Sequence, residues 1–330
     1  MKEFDVCGLG NAIVDIFVEV SEPEFTKLGF ERGTMRLVEA DEQKGIIARL
    51  QSGDPRLVSG GSVANSVIAL SQLGGKGAFI GCVGDDRYGL HYQDEFNQLG
   101  IEMGAPVIVG QTTGTCACVI TPDAERTMRT CLAVSSHLSE AHVDANRIKA
   151  SEWLFIEGYV FANPTTGQGA VREAIRVAKA NGVKVALTCS DAFVPEVFGD
   201  AFAPALKQSD LLFCNAAEAC AVARASTATE AFEKLKALVP SVVVTDGPHG
   251  AHVRHGGQEA HVPAFACEPR DLTGAGDMFA GGFLYGITHG VPAAKAARAA
   301  NFLAMKVISQ IGARLHHGTK DFWQQALAAA

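Results

Sequence analysis

The sequence predicts a three-layer α/β/α sandwich with a small β-sheet lid. Three observations predict it. Short β-rich runs alternate with helical patterns over most of the 330 residues, an order that yields a parallel sheet covered by helices on both faces. Two stretches, 12–40 and 111–135, break that rhythm with strand-like alternation. A composition that is 48% hydrophobic supplies a core that needs no metal or disulfide staple. The division expected is a large α/β unit over 1–11, 41–110 and 136–330, with 12–40 and 111–135 forming the lid.

In chain order, FDVCGLG opens with a strand. Asn11 to Val20 runs straight on, with Val14, Ile16, Val18 and Val20 alternating against Asp15, Phe17 and Glu19, the pattern of a half-exposed strand; Thr34 to Glu39 is its expected partner. A helix follows through Val63, Val67, Leu70 and Leu73, then a strand in GAFIGCVG (Gly77 to Gly84). Thr113 to Thr121 and Arg126 to Val134 form a second lid pair around Pro122-Asp123-Ala124. Trp153 to Glu157 is a strand, and Val171 to Asn181 a helix closed by Gly182. Val183 to Thr188, Leu211 to Cys214 and Val242 to Thr245 are buried strands, and Ala251 to Val262 a hairpin. From Ala275 the chain is helical, with Phe279, Phe283 and Ile287 on one stripe and Ala293 to Ser309 as a further helix. The terminal alanines read as a frayed helix end.

The formal charge is −8 with scattered basic residues, so the expected partner is a small molecule rather than nucleic acid or a membrane. The nine cysteines are dispersed and form no CxxC pair, which fits buried thiols in a reducing cytoplasm better than zinc or disulfides. No apolar run approaches ~20 residues, the length a spanning helix needs. GxxxxGK[ST] is absent. Gly8-Leu9-Gly10 is not a dinucleotide fingerprint, because Ile13 replaces the third glycine and a strand pattern follows. His316-His317 read as surface histidines.

Four clusters carry candidate chemistry. In Asp271-Leu272-Thr273-Gly274-Ala275-Gly276-Asp277, glycines open a helix whose first N–H groups lack intrahelical partners, a ready anion site. Asp277 in that first turn either accepts a proton from an attacking hydroxyl while the N–H groups absorb phosphoryl charge, or merely complements the helix dipole. Gly60-Gly61-Ser62-Val63-Ala64-Asn65 starts another helix. Asn65 there reads as a ligand for sugar hydroxyls or as a polar cap. Asn215 and Glu218, three apart after a buried strand, suit ordered water around Mg²⁺ and phosphate, although such pairs are common helix starts. Thr245 to Gly250 is a nucleotide loop or a plain turn.

Together DLTGAGDMFAGGFLYG and GGSVANSVIALSQLGGKGAFIGCVG resemble the ribokinase-like (PfkB-type) carbohydrate and nucleoside kinases, over nearly the whole chain. The resemblance implies an ATP-dependent kinase using Mg²⁺ and, in many members, K⁺, with nucleotide binding and catalysis in the large unit. By position, Asp277 is similar to the family's catalytic base, and Gly274, Ala275 and Gly276 to its anion hole. Asp15 matches the lid carboxylate that holds substrate hydroxyls, and Asn11, Gly60, Gly61, Asn65 and Tyr159 join that pocket. Asn215 and Glu218 match the NxxE linked to phosphate and, through water, to Mg²⁺. Thr245, Gly247, Gly250 and Asn301 fall on the nucleotide side, and Asp271 where many members build a K⁺ site.

Within the family, GNAIVDI, TGTCACVIT followed by Arg126, and LFCNAAEA resemble the adenosine kinases. That implies transfer to the 5′-hydroxyl of adenosine, with Arg126 in the acceptor site and Leu37, Cys116, Met128 and Leu132 as an apolar wall for the base. Glu157-Gly158-Tyr159-Val160 stands where an apolar, aromatic pair is the pattern, and a Glu157 facing a hydroxyl suits a sugar. Fructose, ribose, inosine and guanosine remain alternative acceptors, and a non-catalytic ligand-binding protein on a kinase scaffold is a distant one. Monomer and homodimer both stay open.

Overall fold

The computed structural model describes residues 2–50, 55–104, 106–123 and 125–328. Its strands in chain order are β1 (Phe4–Leu9), β2 (Ile13–Glu19), β3 (Met35–Leu37), β4 (Arg56–Gly60), β5 (Gly77–Ile80), β6 (Glu102–Met103) and β7 (Gly114–Ile120). They continue as β8 (Arg126–Cys131), β9 (Ser151–Ile156), β10 (Lys184–Thr188), β11 (Leu211–Asn215), β12 (Ser241–Thr245), β13 (Ala251–His255) and β14 (Gln258–Val262). Nine of them form one sheet in the order β14-β13-β12-β11-β10-β9-β1-β5-β6. Pairing is parallel from β6 to β12, and the β13–β14 hairpin adds an antiparallel edge.

Successive side chains point to opposite faces of a strand, and both faces of this sheet are buried. Val6, Phe79, Phe155, Phe213 and Val243 pack on one side, against the helices Ser62–Leu73, Ala275–Thr288 and Ala293–Ile308. Cys7, Ile80, Leu154, Leu212 and Val244 pack on the other, against helices that include Gly167–Ala180. The expected α/β/α layering is present.

The remaining five strands make a second sheet, β3-β8-β7-β2-β4, which departs from expectation in three ways. Thr34 to Glu39 does not pair with Asn11 to Val20. β2 is flanked by β7 in a seven-residue parallel register and by β4, so β3 finds only the free edge of β8. Arg56–Gly60, assigned by sequence to the large unit, belongs to this sheet. β2 is also less exposed than its alternation implies: Phe17 is buried because the Arg56 and Arg126 guanidinium groups each lie 5.1 Å from its ring centroid and cover it. Ala124 of the expected turn and the terminal Ala329 and Ala330 lie outside the described residues.

Two helices cross closely enough to need a glycine. A Cβ on Gly281 would lie 2.3 Å from the Ser66 carbonyl oxygen and 2.8 Å from the Ala69 Cβ. Ala275–Thr288 and Ser62–Leu73 are thereby locked in one relative position, which matters because each carries a candidate site residue in its first turn. Gly281→Ala is expected to destabilise the fold by ~1–3 kcal/mol through forced separation of the helices. Gly199→Ala, where a Cβ meets nothing within 4 Å, is expected to be near neutral. Guanidinium unfolding midpoints of the two variants measure this, and equal midpoints would contradict it.

Candidate active site

The turn before the Ala275–Thr288 helix is shaped by one close approach. Gly274 adopts φ 79° and ψ 1°, and a Cβ there would lie 2.4 Å from the Ala313 carbonyl oxygen, so only glycine fits. Gly276 follows in the first turn and borders open space. Asp277 comes next, half-buried. Its Oδ1 accepts a hydrogen bond from Ser62 Oγ at 2.7 Å and its Oδ2 from Asn65 Nδ2 at 3.0 Å. Both donors lie in the first turn of the Ser62–Leu73 helix. That helix is entered through Gly61 at φ 109°, where a Cβ would lie 2.1 Å from the Asn11 carbonyl oxygen.

Asn65 is itself held. Arg314 Nε donates to Asn65 Oδ1 at 3.3 Å, and Arg314 Nη1 donates to Glu95 Oε1 at 2.8 Å. A guanidinium can only donate, so the Asn65 oxygen must face Arg314 and its amide nitrogen must face Asp277. Glu95 Oε2 in turn accepts from the Ser59 backbone N–H at 2.8 Å. A second network lies beneath. Asn11 Nδ2 donates to Glu157 Oε1 at 2.6 Å, the Val63 N–H donates to Glu157 Oε2 at 3.3 Å, and Ser135 Oγ donates to Asn11 Oδ1 at 2.9 Å. Glu157 is only 1% exposed. It braces Asn11 and the helix start rather than facing an open hydroxyl pocket.

Two cavities flank this pair of helix starts. One of about 210 Å³ is lined by Ser62, Thr188, Asn215, Glu218, Thr245 and Asp277 among others. The other, of about 230 Å³, is lined by Asp15, Arg56, Asn65, Glu95 and Arg314 among others. Asn215 and Glu218 cap each other: the Glu218 N–H donates to Asn215 Oδ1 at 2.9 Å, and Asn215 Nδ2 to Glu218 Oε1 at 2.8 Å. They are thus a helix start and a cavity wall at once. Their oxygens, with those of Thr245 and Asp277, line the same cavity and are hard donors of the kind that could hold Mg²⁺ through water. Gly247, Gly250 and Asn301 are not part of that lining. A Cβ on Gly250 would lie 2.0 Å from the Val262 carbonyl, and Asn301 Nδ2 donates to the Val262 and Pro263 carbonyls, so both fasten the β13–β14 hairpin.

Three sequence expectations change. Asp271 does not fit a K⁺ site, because its Oδ2 meets Arg126 Nη2 at 2.8 Å and accepts from the Gly312 N–H at 2.7 Å. A cation on this carboxylate would face a guanidinium. Arg126, expected in the acceptor pocket, ties the small sheet to the glycine turn while its charge acts on Asp15, and its Nη1 also donates to Thr273 Oγ1 at 3.1 Å. Leu37 is 62% exposed on the edge strand β3 and stands apart from the apolar cluster in which Met128 and Leu132 pack on Ile13, Phe17, Cys116, Cys118 and Ile120. Gly60 lies against Asp15, where a Cβ would meet its Oδ2 at 2.7 Å. Tyr159 packs its ring 6.1 Å from that of Phe193. Sequence reasoning missed Arg314 and Glu95 entirely. It quoted Ser62 and Glu157 without assigning their partners, although the three-residue spacing of Ser62 and Asn65 was the available signal.

Burial raises four carboxyls of the cleft: Asp277 to about 6, and Asp15, Glu157 and Glu218 each to about 7. Hydrogen bonds from Ser62 and Asn65 pull Asp277 back down, as do the nearby charges of Arg314 and Arg126 for Asp15. Such shifts, in a cleft with convergent polar groups, mark a candidate chemical centre.

Comparison with known proteins accords with this geometry. The pfkB family carbohydrate kinase model matches residues 35–318. An adenosine kinase of Saccharomyces cerevisiae is 27% identical over 326 residues, covering 92% of this chain and 94% of that one. A ribokinase of Haemophilus influenzae is 30% identical over 238 residues, covering 69% and 74%. Among solved structures, a probable sugar kinase from Rhizobium etli superposes with a TM-score of 0.88 at 29% identity, over 99% of each chain. The adenosine kinase from Sinorhizobium meliloti does so with 0.87 at 31% identity, over 98% of this chain and 99% of that one. The chain therefore belongs to the pfkB family of carbohydrate kinases and is a phosphotransferase acting on an alcohol group of a nucleoside or sugar.

Proposed function

We propose that this kinase transfers the γ-phosphoryl group of ATP to the 5′-hydroxyl of adenosine, giving AMP and ADP. The observation that carries the reading is Asp277, oriented by two donors at the start of a glycine-led helix, with a cavity on either side of the residues that hold it. Near neutral pH a carboxyl with a pKa of about 6 is mostly ionised, and it takes the proton of the attacking hydroxyl. The N–H groups of the Gly274–Gly276 turn stabilise charge on the transferred group. Asp15 binds acceptor hydroxyls. Glu218 and Asn215 would hold Mg²⁺ through water, where it would supply charge neutralisation of the phosphates. The Arg126 link to Asp271 and Thr273 holds the small sheet over the turn, which excludes water and so limits ATP hydrolysis.

Support for a nucleoside comes from the apolar cluster around Cys116, Met128 and Leu132, which suits a base. It also comes from relatives named adenosine kinase that match over nearly their full lengths. A free-sugar acceptor is the second reading, favoured by the exposure of Leu37, which leaves that wall shorter, and by the Rhizobium etli likeness.

A coupled ADP-release assay across adenosine, inosine, guanosine, ribose and fructose is expected to show at least ~tenfold higher kcat/KM for adenosine, about 1.4 kcal/mol of discrimination. Preference for fructose or ribose would move the proposal to the sugar reading. Asp277→Asn is expected to lose turnover by roughly two to four orders of magnitude while still binding acceptor; near-normal turnover would remove it from the role. The raised carboxyls also predict a pH effect on stability. The folded chain binds more protons than the unfolded chain from about pH 4 upward, so this stabilisation is lost as pH rises through the folded values of about 6 and 7. The ligand-free melting temperature should fall between about pH 5 and 8, and Glu157→Gln should make that fall shallower. Identical slopes in the two proteins would contradict the buried-acid assignment.

A further inference from the structure

The small sheet brings together three side chains whose combined chemistry phosphoryl transfer does not use. Cys116 and Cys118 are two apart on β7, so both thiols project from the same face. Their Sγ atoms are 3.6 Å apart. β2 runs parallel beside them in a register that sets Asp15 against Cys116. One carboxylate oxygen and the two sulfurs all lie within 4.8 Å of one another, and among the described residues no other trio of His, Cys, Asp or Glu is so arranged.

We propose that Asp15, Cys116 and Cys118 form a binding site for a thiophilic divalent cation such as zinc or cadmium, and that its occupation closes the acceptor pocket. Zn–S bonds of about 2.3 Å in tetrahedral geometry set sulfurs about 3.8 Å apart, close to the 3.6 Å spacing found. Three protein ligands leave a fourth position for water, the arrangement of an open rather than a structural site. Two thiolates and a carboxylate around a divalent ion leave one net negative charge, and the Arg126 guanidinium acts on both Asp15 and Cys118. Thr130 Oγ1, 3.1 Å from Cys116 Sγ, supports one sulfur from outside the trio. A metal takes both sulfurs as thiolates, and the contact with Cys116 and burial hold the Cys118 thiol well above its ordinary range. Each therefore releases its proton to solvent as the metal–sulfur bond forms. Of the trio, Asp15 lines the cavity of about 230 Å³.

Blockade of the acceptor rests on the reading of Asp15 as an acceptor ligand; the metal site itself does not. The test titrates the whole protein with Cd²⁺ in thiol-free buffer, following the ultraviolet thiolate-to-cadmium charge-transfer absorption, and measures turnover alongside. One equivalent of absorbing cadmium is expected, with inhibition relieved by excess acceptor and by chelator. Inhibition of Cys118→Val, which keeps an apolar β-branched side chain on the strand, is read against that variant's own metal-free turnover. The variant should lose the absorption and raise the half-inhibiting Cd²⁺ concentration by roughly tenfold or more. Cys214→Ala, removing a thiol of the separate Cys189 and Cys214 pair, should change neither. Absorption that survives Cys118→Val, or disappears with Cys214→Ala, overturns the site. Absorption lost with Cys118→Val together with inhibition that excess acceptor does not relieve keeps the metal site and overturns the role of Asp15 in the acceptor pocket.

Discussion

The site depends on the crossing of the helices Ser62–Leu73 and Ala275–Thr288. Gly281 lets their backbones approach to a distance that no Cβ would allow. At that separation Ser62 and Asn65 of one helix meet the carboxylate of Asp277 on the other. Two helix starts then lie side by side at the Asp277 carboxylate, and a helix start favours negative charge. A separation larger by one methyl group would lengthen both bonds to Asp277 and let its side chain turn.

Other parts of the fold serve that arrangement from a distance. The parallel sheet delivers β1, β9, β11 and β12 to the same edge, so Glu157, Asn215, Glu218 and Thr245 surround the helix starts without any long loop. The second sheet is attached through Arg126, whose guanidinium spans Asp271, Thr273 and the face of Phe17. Asp271 in turn accepts the Gly312 N–H. One largely buried ion pair thus fixes the small sheet, the glycine turn and the chain after the Ala293–Ile308 helix relative to one another, and loss of either partner would leave a charge with poor solvation.

Much of this was legible in the sequence, for physical reasons that can be named. Strands buried on both faces appear as short apolar runs bounded by glycine, and their alternation with helical patterns allows few topologies. The glycine turns were legible because Gly61 and Gly274 combine a positive φ with a neighbouring carbonyl oxygen that any Cβ would strike. Hidden from the sequence were contacts that span the chain. Arg314 reaches Asn65 across 249 residues, and nothing local marks it. The partner of Met35–Leu37 depended on which sheet edge was left free. The burial of Phe17 depended on two arginines from other strands, and the fate of Asp271 on an arginine from the small sheet.

On the proposed function, Asp277 accepts the acceptor's proton while an Asn65 amide, oriented by Arg314, holds it. The most direct measurement is the pH dependence of kcat for the wild type and Arg314→Ala, with and without added guanidinium ion. The wild type is expected to show an acidic limb near the Asp277 value of about 6, since activity needs the ionised form. Freed from Arg314, the Asn65 amide loses its fixed orientation. Loss of its hydrogen bond raises the Asp277 pKa, so the limb should move to higher pH in Arg314→Ala and return with guanidinium. A limb that stays in place in the variant, or a loss of rate that guanidinium leaves unchanged at every pH, would contradict the account.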